Sequence, residues 1–294
     1  MRRHWLLPIL LGWGGLALAG PLDAMLERFG QGLRERDFSG VLVYARDGQL
    51  DALRVRHSAQ PGQDLIERLT GPELPLERAE GVARLGSLAA LGFRSVAGDA
   101  MPRPEPERFY AAARVGDDRV AGRQVEVFDL RAADALRYSR RFWIDRETGL
   151  LLRAAVYAAD GSLVEQWLFA SIDFEPPRAT QAPPVPAREL RAPGTADLAR
   201  VRLAVLDVPP GFRLVSAAVD ADSEQQVFSD GVARVSLFAQ PLGSEAAILS
   251  GHQRRGALSV FGRVFRGLQI VVVGEVPAAT AERFAQSVDL RHDG

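Results

Sequence analysis

Apolar and polar positions change their period along this chain, and the changes divide it into segments. Leu22, Met25, Leu26, Phe29 and Leu33 recur at spacings of three and four, so they share one face of a helix predicted from Pro21 to Arg36. Ser39-Gly40 breaks that helix, and the period becomes two. Val41 to Arg46 and Leu50 to His57 flank Asp47-Gly48, a dipeptide that accepts the positive φ of a tight hairpin, so two antiparallel strands are expected. Leu65, Ile66 and Leu69 suggest a further strand. Val82 to Phe93 is apolar but interrupted by glycine, and the alternate prolines of Met101 to Pro106 make a loop.

A series of strands follows. Phe109 to Val115 is read as one, turning at Asp117-Asp118, and Val120 to Leu130 as the next, with a bend near Gly122. Tyr138 to Ile144, Leu150 to Tyr157 and Ser162 to Phe174 complete the series, joined through Gly149 and through Asp160-Gly161. Successive strands with short turns pair antiparallel. Strands in that number, with one amphipathic helix, imply a large curved sheet wrapped around a helix or an apolar hollow.

Glu175 to Gly194 differs in kind. Six prolines (Pro176, Pro177, Pro183, Pro184, Pro186 and Pro193) in a stretch poor in large apolar residues predict an extended, semi-rigid connector. Beyond it, Val205 to Val208 leads into the sharp turn Pro209-Pro210-Gly211-Phe212, and Gln225 to Ser229 and Ala233 to Ala239 flank a second hairpin signal, Asp230-Gly231. Gly256 to Phe261 and Leu268 to Val273 supply two more strands, the latter continuous enough to be central. Pro277 suits the first turn of a helix that buries Ala281, Phe284, Ala285 and Val288. The expected fold class is α+β: a first domain over 21–175, a linker over 176–199, and a smaller α+β domain over 200–291.

The N-terminus bears on compartment. Arg2, Arg3 and His4 precede an apolar run from Trp5 to Ala19, which ends in the small-x-small pattern Ala17-Leu18-Ala19. That run is too short for a spanning helix and fits a signal peptide over 1–19, cleaved near Ala19, which predicts a periplasmic protein. Losing Arg2 and Arg3 takes the formal charge from −1 to −3, with 34 basic against 37 acidic residues. So balanced a charge argues against a nucleic-acid partner. There is no cysteine, so thiol catalysis, thiolate metal sites and disulfides are excluded, and a hydrophobic core must hold the exported chain together. No lysine occurs; every basic residue is arginine.

Chemistry-bearing patterns are sparse. After the leader, the histidines are His57, His252 and His292, and none has a neighbour at ligand spacing. Zincin, nucleophile-elbow and phosphate-loop patterns are missing, so no catalytic residue, metal or cofactor is assigned, although a Ser/His/acid set assembled across the chain stays open. Asp117-Asp118 and Asp145 with Glu147 read as solvated turn carboxylates. Arg137, Arg140, Arg141, Arg146 and Arg153 are either an anion-binding surface or the wet face of a sheet. Arg254-Arg255-Gly256, beside His252, reads as a basic turn on which an acidic partner segment docks or as a solvated loop.

Several segments, in order, carry a resemblance. In the first half these are Asp37-Phe38-Ser39-Gly40-Val41, Glu67-Arg68-Leu69, Leu136-Arg137-Tyr138 and, most specific, Arg141-Phe142-Trp143-Ile144-Asp145-Arg146-Glu147-Thr148-Gly149-Leu150-Leu151-Leu152. In the second half they are Pro209-Pro210-Gly211-Phe212, Phe228-Ser229-Asp230-Gly231-Val232-Ala233 and Val272-Val273-Gly274-Glu275-Val276-Pro277. Together they resemble the MucB/RseB family of sigma-E regulatory proteins; the stretch from Gly71 to Glu107 matches least. The resemblance implies an N-terminal unclosed antiparallel β-barrel with helices, similar to LolA and LolB. It implies a non-enzymatic periplasmic regulator that binds the periplasmic domain of a single-pass anti-sigma factor of the RseA/MucA type and shields it from site-1 proteolysis. Lipopolysaccharide, another acylated ligand or mislocalised lipoprotein would release the shield, and a homo-oligomer is allowed. Alternation places an acyl pocket at Phe38, Val41, Val43, Leu53, Val55, Phe142 and Leu152, and partner contact is assigned to Arg254, Arg255 and Phe261. A periplasmic carrier of lipids or lipoproteins is the alternative, and an exported hydrolase a third.

Overall fold

The computed structural model describes residues 28, 31–32, 35–59, 65–70, 106–174, 201–243 and 248–291. The expected leader, the expected proline-rich connector and the apolar stretch from Val82 to Phe93 lie outside them. Of the expected N-terminal helix, Arg28, Gln31, Gly32, Glu35 and Arg36 are described; the first four are helical, and Arg36 lies just past the helix end. Arg28 ties that helix to the first sheet through an ion pair with Glu126 at 2.6 Å.

The first sheet holds eight strands: β1 (Phe38–Arg46), β2 (Gln49–His57), β3 (Leu65–Arg68), β4 (Tyr110–Val120), β5 (Arg123–Ala132), β6 (Ser139–Asp145), β7 (Leu151–Tyr157) and β8 (Leu163–Asp173). Their order is β3-β2-β1-β8-β7-β6-β5-β4, antiparallel throughout. Among the described residues β3 and β4 are the two edges and do not pair with each other, so the sheet is unclosed, as expected. Every link in that order but β1–β8 joins strands adjacent in sequence. The β1–β8 link is the long-range closure, with Leu42 opposite Phe169 and Tyr44 opposite Trp167. Phe38, Leu42, Leu53, Val55, Trp167 and Phe169 form the aromatic and aliphatic centre of this core. Phe38 meets Phe169 edge-on at 5.9 Å.

One turn differs from the expected one. β4 runs through Asp117-Asp118 without a break, and the chain reverses at Ala121-Gly122, where φ is +49° and +77°. The two carboxylates are accommodated on the strand because cations and donors reach them. Asp117 pairs with Arg114 and Arg146, and Asp118 accepts the indole N–H of Trp143 at 3.0 Å. Asp145 departs from expectation too. It is buried, and it organises the β6–β7 turn by accepting the Thr148 amide at 3.1 Å and Arg123 at 2.8 Å.

The second sheet has six strands, β10 (Arg213–Val219), β11 (Glu224–Ser229), β12 (Arg234–Pro241), β13 (Gly251–Arg255), β14 (Leu258–Phe265) and β15 (Leu268–Gly274), in the order β10-β11-β12-β15-β14-β13. β15 sits between β12 and β14, the inner position its unbroken apolar run predicts. A separate short pair joins β9 (Leu203–Val205) to β16 (Val288–Leu290). Helix α1 (Ala278–Gln286) follows Pro277 and packs on one face of the six-stranded sheet, burying Ala281, Phe284 and Ala285. Val288, expected on the helix, is buried one element later, in β16. Phe284 meets Phe212 at 5.5 Å and Phe228 at 5.1 Å, so one ring joins the helix, the turn ahead of β10 and the sheet. Phe284→Ala is expected to cost about 3–5 kcal/mol, measured by urea unfolding.

Candidate functional site

The two domains meet where turns of the second press against the first. Arg137 stands at the centre of this junction. It comes from the loop between β5 and β6, which Asp134 shapes by accepting the Leu136 amide at 3.0 Å. The Arg137 side chain is fully buried, and so is its partner Asp230 in the β11–β12 turn. The guanidinium donates from Nε to Asp230 Oδ2 at 2.7 Å, from Nη1 to Asp134 at 2.5 Å, and from Nη2 to the carbonyl of Pro210. It lies 4.4 Å from the Phe109 ring centroid and 5.1 Å from that of Phe212.

Asp230 is equally committed. Oδ2 also accepts the Tyr110 hydroxyl at 2.9 Å, and Oδ1 takes the amides of Val232 and Ala233 at 2.9 and 2.7 Å. Burial, then the charge of Asp230, pushes the Tyr110 phenol well above its ordinary range, so it stays a donor. Gly211 is required here: with φ +88°, a Cβ would lie 2.4 Å from the Phe109 ring and 2.8 Å from Arg137 Nη2.

A second set of contacts lies on the other side of the junction. The β13–β14 turn rests against the β1–β2 turn and the start of β8, where the Gly256 amide donates to Asp47 at 2.7 Å and the Ala257 amide to Glu165 at 2.8 Å. Ala257 is fully buried against Tyr138 and Val156. Arg140 pairs with Glu275 at 3.0 Å, and the Thr280 hydroxyl on α1 donates to the Leu136 carbonyl at 2.8 Å. Where Glu275 of the second domain faces β6, β7 and β8 is a cleft of about 30 Å³, whose lining includes Arg140, Phe142, Glu165, Trp167 and Glu275. That volume suits a water or two, not an acyl chain.

The residues selected from alternation do not form one surface. Phe38, Leu53, Val55 and Leu152 are buried in the first core, and Phe142 packs beside it and lines the cleft. Val41 and Val43 pair with Arg54 and Ala52 on the opposite face of β1 from Phe38 and Leu42, since successive strand residues point to opposite sides. Arg254 and Arg255 belong to β13 itself, an edge strand, and the turn begins only at Gly256. Both are exposed, but Arg254 shares a face with His252 and Phe261, and Arg255 points the other way. Phe261 is half-buried against the second core.

The five clustered arginines are not an open basic surface either. Arg137 and Arg140 are interior to the junction, Arg141 binds Asp129 at 2.9 Å, and Arg146 pairs with Asp117. Arg153 bonds Gln166 and stacks 4.1 Å over Trp143. Each has a partner distant in sequence, which is why spacing along the chain cannot reveal it. No group of three or more His, Cys, Asp or Glu side chains placed to hold a metal occurs among the described residues.

Three segments that carry the resemblance, Leu136-Arg137-Tyr138, Pro209-Pro210-Gly211-Phe212 and Ser229-Asp230-Gly231, meet at this junction. The MucB/RseB N-terminal domain model matches residues 21–192 and the MucB/RseB C-terminal domain model residues 199–289, so the chain belongs to the MucB/RseB family. Among its relatives is the sigma factor AlgU regulatory protein MucB of Pseudomonas aeruginosa, 28% identical over 90% of this chain and 89% of the relative. The sigma-E factor regulatory protein RseB of Haemophilus influenzae is 24% identical over 90% of each chain. The fold matches MucB in the MucA/MucB complex structure from Pseudomonas aeruginosa with a TM-score of 0.66, at 24% identity over 92% of this chain and 99% of that one. Family members are regulatory proteins, in keeping with the reading of a binding protein and not an enzyme.

Removing the guanidinium of Arg137 leaves Asp230 buried without its cation. Arg137→Ala is expected to cost about 3–5 kcal/mol in urea unfolding.

Proposed function

We propose that this chain is a regulator of an envelope-stress sigma factor that binds the periplasmic segment of a single-pass anti-sigma factor and shields it from site-1 proteolysis. The observation that carries this reading is the match to both family domains, in order, over residues 21–192 and 199–289. A relative of the same two-domain build has been solved as a complex with MucA(peri). Family membership supports a periplasmic location, and the N-terminal run of residues 1–19 is then a cleaved leader.

Arg254, Arg255 and Phe261 are the proposed contacts for an acidic segment of the partner. Arg254 and Phe261 lie on one face of the β13–β14 hairpin, and Arg255 extends the charge around the strand edge. Release by lipopolysaccharide or another acylated ligand is part of the same proposal. Each CH₂ buried contributes about 0.8 kcal/mol, so one acyl chain would be enough to open packed structure. Phe38, Leu53, Val55 and Leu152 are closed in the present state, so a lipid would have to part the first core from what covers it, with Phe142 at the entrance. A second domain fastened by a buried ion pair has no evident purpose in a plain lipid carrier.

Calorimetry of the mature chain with the periplasmic segment of its cognate anti-sigma factor tests the reading. Tight binding that lipopolysaccharide weakens is expected; no binding, with lipid still taken up, favours the carrier. Arg254→Glu with Arg255→Glu is expected to weaken partner binding at least about tenfold, or roughly 1.4 kcal/mol. Unchanged affinity in that double variant would remove β13 from the partner surface.

A further inference from the structure

Two carboxylates and one guanidinium share the cleft between the domains. Glu165 on β8 and Glu275 after β15 both line it, and Arg140 is paired with Glu275 at 3.0 Å. Glu165 is left to neutral donors: its Oε2 accepts the Tyr44 hydroxyl at 2.7 Å and the Ala257 amide at 2.8 Å. The second domain closes over it without an intervening layer. A Cβ on Gly256, where φ is +59°, would lie 2.1 Å from Glu165 Oε2, so a side chain there would push the carboxylate aside.

The charged and titratable groups around Glu165 come from both domains. They are Tyr44 and Arg46 on β1, Asp47 in the β1–β2 turn, Tyr138 and Arg140 at β6, Arg254 on β13, and Glu275. The cations among them have other carboxylates to serve: Arg46 pairs with Asp51 at 3.5 Å, Arg140 with Glu275, and Arg254 with Asp47 at 3.9 Å. Docking therefore closes Glu165 into a site that holds one carboxylate more than its guanidinium balances.

We propose that Glu165 makes the docking of the two domains proton-linked, the neutral carboxyl closing the junction and the ionised carboxylate loosening it. Burial first, and the like charge of Glu275 with it, raises the Glu165 carboxyl above its ordinary value, against the pull of the Ala257 amide, Tyr44 and Arg140. A carboxyl raised in the docked state and ordinary in the open one contributes fully to docking below the ordinary carboxyl range. Its contribution is lost as pH rises through the raised value, so docking tightens on acidification from neutral pH. Asp117, Glu126, Asp129 and Asp207 are held below their ordinary values by arginines, and what they contribute is lost only as pH falls below the ordinary range. The two windows do not overlap.

Amide hydrogen exchange at Gly256 and Ala257 reads the junction directly, in the full mature chain, from about pH 5 to about pH 8, with intrinsic rates divided out. Protection is expected to fall as pH rises, about tenfold for each unit by which the Glu165 carboxyl is raised. Glu165→Gln, neutral at every pH, is expected to keep its protection throughout. Glu275→Gln removes the like charge and frees Arg140, so the fall moves to lower pH. Wild-type protection that does not change with pH overturns the proposal, as does an unchanged profile in Glu165→Gln. If Glu165→Gln does not fold, the wild-type profile and the direction of the Glu275→Gln shift decide it.

Discussion

The ion pair between Arg137 and Asp230 is the contact on which the rest of the architecture depends. Both side chains are wholly shut off from water, and isolated charges there would be costly. The structure meets that cost by completeness. Arg137 reaches Asp134, Asp230 and the Pro210 carbonyl, and Asp230 answers with contacts to Tyr110 and to two amides of its own turn. Phe109 and Phe212 cover the guanidinium. Such a pair adds little net stability over a well-packed apolar replacement. Its effect is to specify one mutual placement of the two sheets, since any slip strands a buried charge.

That specification gives three short motifs from distant parts of this chain one common place in the fold. A Leu-Arg-Tyr step after β5, a Pro-Pro-Gly-Phe turn ahead of β10 and a Ser-Asp-Gly turn after β11 have no local reason to co-occur. Around Arg137 they have one: cation, close-approach turn and carboxylate. The family match covers both domains, over residues 21–192 and 199–289. The proposed partner surface on β13 is continuous with this joint, because the next two residues, Gly256 and Ala257, are held by Asp47 and Glu165. A ligand that disturbs one domain therefore has a short physical route to the other.

Much of the fold was legible in the alternation, and the misses share a cause. The Asp47-Gly48 hairpin, the inner position of β15 and the helix after Pro277 follow from local rules, and the structure agrees. Asp117-Asp118 looked like a turn because acidic pairs favour turns, but Arg114, Arg146 and Trp143, brought in by neighbouring strands, hold the pair on β4. β13 was missed because Gln253, Arg254 and Arg255 have no apolar alternation; an edge strand with both faces exposed needs none. The pocket residues illustrate the limit of periodicity most clearly. Alternation groups Val41 with Val43, yet it cannot say that their face is the one turned away from Phe38, Leu53 and Val55. The junction was invisible for the same reason: Arg137 and Asp230 are 93 residues apart, and only the folded chain makes them neighbours.

A junction closed around Arg137 and Asp230 makes one cooperative unit of the two domains. Differential scanning calorimetry of the mature chain near neutral pH tests it most directly. The account predicts a single transition whose calorimetric and van't Hoff enthalpies agree. Two separate transitions, one for each sheet, would contradict it and would reduce the Arg137–Asp230 pair to a contact between independently folding halves.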